Sequence, residues 1–132
     1  MSDESNRHDL SRGQTRRYPF DHHRLDAYHV ALEALEGGER IAQGLPRGYG
    51  KLKDQLQRAL QGAFLQTAEA AARKGADRRN RFRCARAEAG EAAAALEAIE
   101  RMGLASAERT EAVTALLWRL CAMLHRLGGR AG

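Results

Sequence analysis

Positively charged side chains are concentrated in one short stretch of this chain. Between positions 73 and 86, seven of the fourteen residues are cations and a single one, Asp77, is an acid. Guanidinium groups bind phosphates and carboxylates through a permanent charge and paired hydrogen bonds, so the stretch suits a polyanion or an acidic protein surface. The cations of this basic cluster are Arg73, Lys74, Arg78, Arg79, Arg81, Arg83 and Arg86.

The spacing of the basic cluster predicts how it would act on a helix. At about 100° per residue, Arg79, Arg83 and Arg86 fall near one face, while Arg78 and Arg81 point elsewhere. Such an arrangement engages phosphates electrostatically without reading bases, and an aromatic content of 5% leaves few rings to stack on unpaired bases. A solvated helix face with no partner has the same pattern, so the sequence leaves both interpretations open.

Residues suited to metal binding or catalysis do not form a recognisable motif. Asp26 and His29, with Glu33 one turn later, are the single carboxylate and histidine cluster, and no second helix supplies a matching pair. His22, His23, His29 and His125 have no plausible nucleophile beside them. No glycine-rich phosphate loop, Ser/His/Asp arrangement or zinc-knuckle spacing occurs in the sequence. The expectation is a protein without enzymatic activity, metal or cofactor.

Glu69 and the two cysteines are the remaining reactive side chains. Glu69 sits in an apolar run, which predicts a buried or interface carboxylate that pairs with an arginine rather than a general base. Cys84 and Cys121 lie on predicted helices without CxxC or Cys/His spacing. We expect both to be buried thiols rather than a disulfide or metal ligands.

Composition predicts one all-α domain. The chain has 132 residues, a formal net charge of +5 and only two prolines, Pro19 and Pro46, while alanine and leucine dominate its apolar residues. Residues 51–90 hold 10 basic and 4 acidic side chains, so the positive excess is local. No apolar segment is long enough for a membrane span or a signal sequence, and we expect a cytosolic protein.

Hydrophobic periodicity divides the chain into a tail and four helices. Residues 1–19 are expected to form a flexible basic tail, and residues 20–132 a four-helix bundle. Asp21 is predicted to cap the first helix, which runs to about Gln43 and is softened at Gly37-Gly38. The second is predicted over 52–74, the third over 77–102, and the fourth from Ser106 to Gly128-Gly129. Short connections between helices of about 20 residues predict an antiparallel up-and-down bundle.

Two of these helices carry distinctive seams. The third has very small side chains in the middle of its apolar stripe, which predicts close approach of a neighbouring helix or subunit: Phe82, Ala85, Ala89, Ala92, Ala93, Leu96 and Ile99. The fourth carries the strongest heptad pattern, with Trp118 on its flank. A ring in that position is more often a packing or subunit-contact residue than a platform for a ligand.

Three short motifs resemble a known family. The opening helix has Phe20 and then Leu-Asp-Ala-Tyr-His-Val-Ala at 25–31, the second begins Gln-Leu-Gln-Arg-Ala at 55–59, and the third has Arg81-Phe82, Ala85-Arg86 and Glu91. These are similar to the four-helix-bundle proteins encoded in intervening sequences of large-subunit ribosomal RNA and, more distantly, to accessory proteins of diversity-generating retroelements. The family's Asn-Ile-Ala-Glu-Gly is replaced at 66–70 by Gln-Thr-Ala-Glu-Ala, and its Gly-Ser pair by Ala87-Glu88.

The resemblance implies an antiparallel bundle that assembles into a homo-oligomer, commonly a pentameric ring, with a basic surface and no enzymatic activity. In the retroelement branch it implies that the ring holds a reverse transcriptase and its RNA. We therefore expect an oligomeric bundle that binds nucleic acid, RNA in particular, through the basic cluster. The alternative is a protein-interaction scaffold, such as an accessory subunit of a reverse transcriptase. Structural or interface roles are predicted for Arg58, Glu69, Phe82 and Trp118.

Overall fold

Four long helices make up nearly all of the described chain. The structure is a computed structural model that describes residues 20–129, so the predicted tail and residues 130–132 lie outside it. A short 3-10 helix, Asp21–Arg24, precedes α1 (Asp26–Gln43), α2 (Gly50–Ala71), α3 (Gly75–Arg101) and α4 (Ala107–Gly128). Within residues 20–129 there is no strand. The all-helical prediction is confirmed.

The helices pack in chain order as a bundle. Contacts join α1 to α2, α2 to α3, α3 to α4 and α4 back to α1. The side-chain pairs between α2 and α3 run in opposite directions along the two helices, since Gln55 bonds to Glu91 and Glu69 bonds to Arg81. Together with the short connections, these pairs make successive helices antiparallel. This is the predicted four-helix bundle, and its assembly into a ring stays a prediction.

Alanine and leucine fill the core, as the composition predicts. Phe82, Leu96 and Ile99 of α3 are fully buried, and so are Ala89 and Ala92 between them. Because these alanines are short, the α3 backbone lies close to its neighbours along the middle of the helix. The alanine-lined seam predicted for the third helix is therefore confirmed as an internal packing surface at every position except Ala93, which is half-buried.

The helix ends follow the predicted signals. The Ser106 hydroxyl oxygen accepts a hydrogen bond from the Arg109 backbone amide at 3.3 Å, which caps α4. Gly103 follows the end of α3 with a φ of 72°, and Gly75, the first residue of α3, has a φ of 59°, values that favour glycine. The sequence predicts that the second helix reaches residue 74, but α2 ends at Ala71. Arg73 and Lys74 therefore lie in the turn.

The start of the first helix differs from the prediction. Asp21 is not its cap, because residues 21–24 form a separate 3-10 turn and α1 begins at Asp26 with Leu25 in the capping position. Backbone bonds from His23 to Phe20 and from Leu25 to His22 close this turn. Stacking of the Phe20 and His22 rings, at an interplanar angle of 4°, favours the turn over another turn of α-helix.

The glycine pair in α1 has a packing role. The helix runs without interruption through Gly37 and Gly38. A Cβ atom on Gly38 would overlap Leu60 of α2, and one on Gly37 would lie 2.9 Å from Val113 Cγ2 of α4. The two glycines therefore allow α1 to lie close to both of its neighbours, which is a different role from the softening that the sequence predicts.

Candidate functional site

Two cations of the basic cluster are held by acids of the chain itself. Arg81 Nη1 lies 3.2 Å from Glu69 Oε2, and Arg81 Nε lies 3.6 Å from Asp77 Oδ1. Arg73 Nη1 lies 3.4 Å from the other oxygen of Asp77. These pairs neutralise part of the charge at the α2–α3 turn, so Arg73 and Arg81 contribute less to any external field than their number suggests.

Glu69 has the predicted partner but not the predicted burial. Its carboxylate pairs with Arg81, while its side chain is 48% exposed. Of the two predicted alternatives, the buried carboxylate is wrong, because Glu69 lies at the edge of the α2 stripe whereas Thr67 and Ala70 face the core, and the interface carboxylate stays a prediction. The buried polar group is Thr67, whose hydroxyl donates a hydrogen bond to the Ala63 carbonyl at 2.7 Å.

Arg78 also makes contacts within the chain. Its guanidinium carbon lies 5.1 Å from the centre of the Phe82 ring, and its Nη1 donates a hydrogen bond to the Ala71 carbonyl at 3.3 Å. The first contact is a cation–π interaction over a ring that is itself fully buried. Arg78 therefore joins the start of α3 to the end of α2, and the buried Phe82 has the predicted structural role.

Arg79, Arg83 and Arg86 share one face of α3, as their spacing predicts. They lie against the end of α4: Arg86 Nη1 is 3.1 Å from His125 Nδ1, and the aliphatic part of Arg83 runs past Gly128. Arg79 runs past Gly129 in the same way. We call these three arginines and His125 the basic half of the face between α3 and α4.

The basic half has few acids around it. The described ion pairs involve Arg73 and Arg81 and none involves Arg79 or Arg86. From residue 112 to the last described residue, α4 and its end hold no Asp or Glu, whereas Arg119 and Arg126 are exposed there. With Lys74 exposed in the preceding turn, this end of the bundle keeps a net positive charge.

Cys121 lies close to this surface, whereas Cys84 lies on another side of α3. Cys84 is exposed, so the prediction that it is buried is wrong, and Cys121 is half-buried. Cys121 Sγ lies 3.9 Å from the backbone carbonyl oxygen of Arg86. Burial raises the pKa of the Cys121 thiol, and the positive charge of Arg86 opposes part of that rise. Both thiols are free.

Histidines gather at the opposite side of the same end of the bundle. The ring centres of His22 and His23 are 4.2 Å apart, and Tyr28 packs against both. Burial lowers the pKa of His22 most, repulsion from His23 and His29 lowers it further, and Asp21 opposes the shift. His29 Nε2 lies 2.9 Å from the His23 carbonyl oxygen, which points to a structural role for this ring. Among residues 20–129, no group of three His, Cys, Asp or Glu side chains could hold a metal.

A groove that sequence reasoning missed continues the same face toward the other end of the bundle. Its floor is made by Gly90, Ala93, Ala94 and Ala115, it is open to solvent, and its volume is about 610 Å³. Its ionisable lining consists of three carboxylates, and Thr114 and Trp118 complete it. We call it the acidic groove and its carboxylates the rim: Glu97, Glu100 and Glu111.

The remaining predicted interface residues are placed at the surface. Arg58 is exposed on α2, and Trp118 is 76% exposed beside the acidic groove. Steps of four and three residues along α3 continue the arginine stripe past Arg86 into small residues and carboxylates, which indicates the α3 side of the groove but not the helix that it faces. That stripe is Arg79, Arg83, Arg86, Gly90, Ala93, Glu97 and Glu100.

Comparison with known proteins adds no relative. No protein-family model matches the chain, and no curated protein matches it at a significant level. Among the described helices, none has the length and apolar character needed to cross a membrane. Oligomerisation, RNA binding and association with a reverse transcriptase are therefore proposals that rest on the sequence motifs and on the charges of the bundle.

Proposed function

We propose that this protein is a non-enzymatic, oligomeric four-helix-bundle protein that binds RNA through the basic half of the α3–α4 face. The observation that carries the proposal is the alignment of Arg79, Arg83 and Arg86 along a surface where the facing part of α4 holds no acid. The other arginines of the basic cluster are drawn into contacts with Asp77, Glu69 and Phe82.

The geometry suits a phosphate backbone. The arginines at i, i+4 and i+7 are separated along the helix by about 6 Å and then about 4.5 Å, and a flexible strand can place phosphates at such intervals. Each phosphate that is neutralised releases counterions, so three contacts predict a salt slope of about −2 for a single strand. RNA, rather than DNA, is proposed from the resemblance to proteins of ribosomal RNA intervening sequences and retroelements.

Three contacts in one subunit give weak binding. Assembly into a homo-oligomer, which the resemblance implies as a pentameric ring, would present several basic surfaces to one RNA and multiply the affinity. Light scattering over micromolar concentrations checks this part of the proposal. A mass equal to one chain at every concentration would remove the ring.

The RNA proposal is tested by charge reversal with a matched control. The double variant Arg79→Glu and Arg86→Glu should bind a fluorescent single-stranded RNA far more weakly, and its salt slope should fall by about 1–2. The control, Arg101→Glu and Arg109→Glu, changes the net charge equally at exposed sites of the other end and should keep the affinity. Equal losses in both variants, or an affinity that does not change with salt, would contradict a specific basic surface.

A second candidate is an interaction scaffold, such as an accessory subunit of a reverse transcriptase. Arg81 pairs with Glu69 and Arg73 pairs with Asp77, so arginines of the basic cluster already bind carboxylates at the surface of the bundle. The acids of another protein could occupy the basic half in the same way. Co-purification with a protein partner that survives nuclease treatment, and that is lost with Arg79→Glu and Arg86→Glu, would favour the scaffold. The free thiols suit a reducing compartment, and we place either activity in the cytosol.

A further inference from the structure

We propose that the acidic groove binds a basic amphipathic helix of a partner protein. This inference is independent of RNA binding, because it concerns the opposite half of the α3–α4 face and side chains of the opposite charge. The groove lies in the seam between two helices, has a volume of about 610 Å³ and is open along its length. Its occupant must match its shape, its charge and its exposed aromatic ring.

The floor of the groove favours a helix as the occupant. Gly90, Ala93, Ala94 and Ala115 are small, so a neighbouring backbone can approach closely. At Gly90 no heavy atom lies within 4 Å of the position that a Cβ would take, which shows open space above the α3 backbone. A shallow apolar channel parallel to two helices is the surface into which a third helix places its apolar side chains.

The rim determines the charge of the occupant. All three ionisable side chains that line the groove are carboxylates, and no cation lines it. Glu100 Oε1 lies 3.1 Å from the hydroxyl of Thr110, which is also within hydrogen-bond distance of two backbone carbonyls of α4 and its cap, those of Ser106 and Ala107. A helix with lysines or arginines beside its apolar stripe would complement this rim, whereas an acidic helix would be repelled.

Trp118 supplies the anchor. It is 76% exposed at the end of the groove nearest the basic half, where no described side chain covers its ring. Exposed tryptophans of this kind are over-represented among the residues that dominate binding energy, since they bury a large apolar area and attract cations to the ring face. A basic helix offers both an apolar side chain and a cation to this ring.

A second copy of this chain is a poorer match. Its basic half would satisfy the charge of the rim, but between Gly75 and Gly90 α3 has no exposed large hydrophobic side chain. The exposed large hydrophobic residues in the described part of the chain are Phe20, Leu65, Met102 and Trp118. An occupant must bring apolar side chains and cations on one helical face, and a partner with that pattern is required.

The experiment uses Trp118 as the reporter, since it is the only tryptophan in the sequence. A tryptophan-free helical peptide of leucine, alanine and lysine is titrated into the full-length protein, and a matched peptide carries glutamate at every lysine position. We expect the lysine peptide to shift Trp118 emission saturably and the glutamate peptide to leave it unchanged. Glu97→Gln with Glu111→Gln should weaken binding about three- to tenfold.

Two further variants locate the binding surface. Ala94→Leu fills the groove at an exposed position, so the fold should survive and peptide binding should be lost. The matched control, Glu33→Gln with Glu36→Gln on the exposed side of α1, removes the same charge and should leave peptide affinity unchanged. The RNA-binding variant Arg79→Glu and Arg86→Glu should also keep the peptide, which separates this proposal from the first.

The proposal is overturned by any of three results. The first is the same response to both peptides. The second is an Ala94→Leu variant that binds the lysine peptide as well as the unchanged protein does. The third is a shift of Trp118 emission with protein concentration alone that Ala94→Leu abolishes, because the groove would then be filled by a second copy.

Discussion

The two halves of the α3–α4 face are built on the same helices and the same stripe but have opposite properties. In the basic half, long arginine side chains lie across the seam and Arg83 passes over Gly128. In the acidic groove, Gly90, Ala93 and Ala94 leave the seam open, and carboxylates line its edge. The change takes place within one turn after Arg86. Side-chain length at equivalent helical positions therefore decides whether this face is a covered, charged ridge or an open channel.

The two halves also differ in their connection to the core, and the largest expected effect tests this difference. Phe82 lies on the same stretch of α3 as the arginines of the basic half and is fully buried, with Arg78 above its ring. Phe82→Ala should lower the free energy of unfolding by about 3–5 kcal/mol, because it removes a buried ring and leaves a cavity. Trp118→Ala, at the acidic groove, should change it by about 0.5 kcal/mol or less, since the ring is mostly exposed.

Urea unfolding followed by far-UV circular dichroism measures both values. Because Trp118 is the sole tryptophan, fluorescence cannot serve for its own variant, and the dichroism signal is common to the two proteins. Similar losses in the two variants would mean that Trp118 is packed more deeply than its exposure indicates.

Gly128 gives the next largest effect. A Cβ atom there would lie 3.1 Å from Arg83 Cγ and 3.5 Å from the Arg79 carbonyl oxygen. The Arg79 carbonyl oxygen would be at an ordinary contact distance, so only the Arg83 side chain would have to move. We expect Gly128→Ala to lower the free energy of unfolding by about 1 kcal/mol, after the better helix propensity of alanine offsets part of the crowding. A stabilised variant would show that Arg83 moves freely.

Gly90 should respond to the same substitution with the opposite sign. It lies inside α3 at the acidic groove, and nothing would contact an added Cβ. Gly90→Ala should raise the free energy of unfolding by about 0.5–1 kcal/mol, because glycine in a helix interior has a large entropy cost on folding. The same thermal and urea measurements apply. A loss of stability would mean that the groove is filled in solution, and light scattering would then show a smaller mass for Ala94→Leu than for the unchanged protein.

Much of the bundle could be predicted because its signals are local. Periodicity, the hydroxyl of Ser106 and the glycine at 103 each act within a few residues, and the structure confirms them. The prediction that Asp21 caps the first helix is wrong because it rested on residue type alone. The stacking of Phe20 on His22 selects a 3-10 turn at that point, and this interaction has no simple sequence signature.

The candidate sites depend on how the helices are aligned, which the sequence does not state. Arg81 is neutralised by Glu69, twelve residues away on another helix, and only the relative positions of α2 and α3 bring them together. Cys84 is exposed because its angle on α3 differs from that of the buried Ala85 beside it. The acidic groove arises where small residues of α3 lie opposite Ala115 of α4, so neither helix predicts it alone.

The smallest expected effect is a change in the pKa of Cys121, which reports the charge of the basic half because the thiol lies beside Arg86. Cys121 lies beside Arg86, and its pKa is raised by burial with partial opposition from that cation. Arg86→Met keeps an unbranched apolar side chain in place of the aliphatic part of arginine and removes its charge, so the pKa of Cys121 should rise further. Thiolate is the species that reacts with Ellman's reagent, and the pH midpoint of the slow Cys121 reaction should move upward.

Two controls test whether the shift in the Cys121 midpoint comes from the charge of Arg86. The exposed Cys84 reacts first and should keep its own pH midpoint, because two residues along α3 place it about 200° from Arg86, on nearly the opposite face of the helix. Glu97→Gln in the acidic groove should leave the Cys121 midpoint unchanged, since the rim lies further along α3. A midpoint that moves downward in Arg86→Met would mean that lost burial outweighs lost charge. The arginine would then act on this thiol mainly as a cover, and the basic half would be defined by packing before charge.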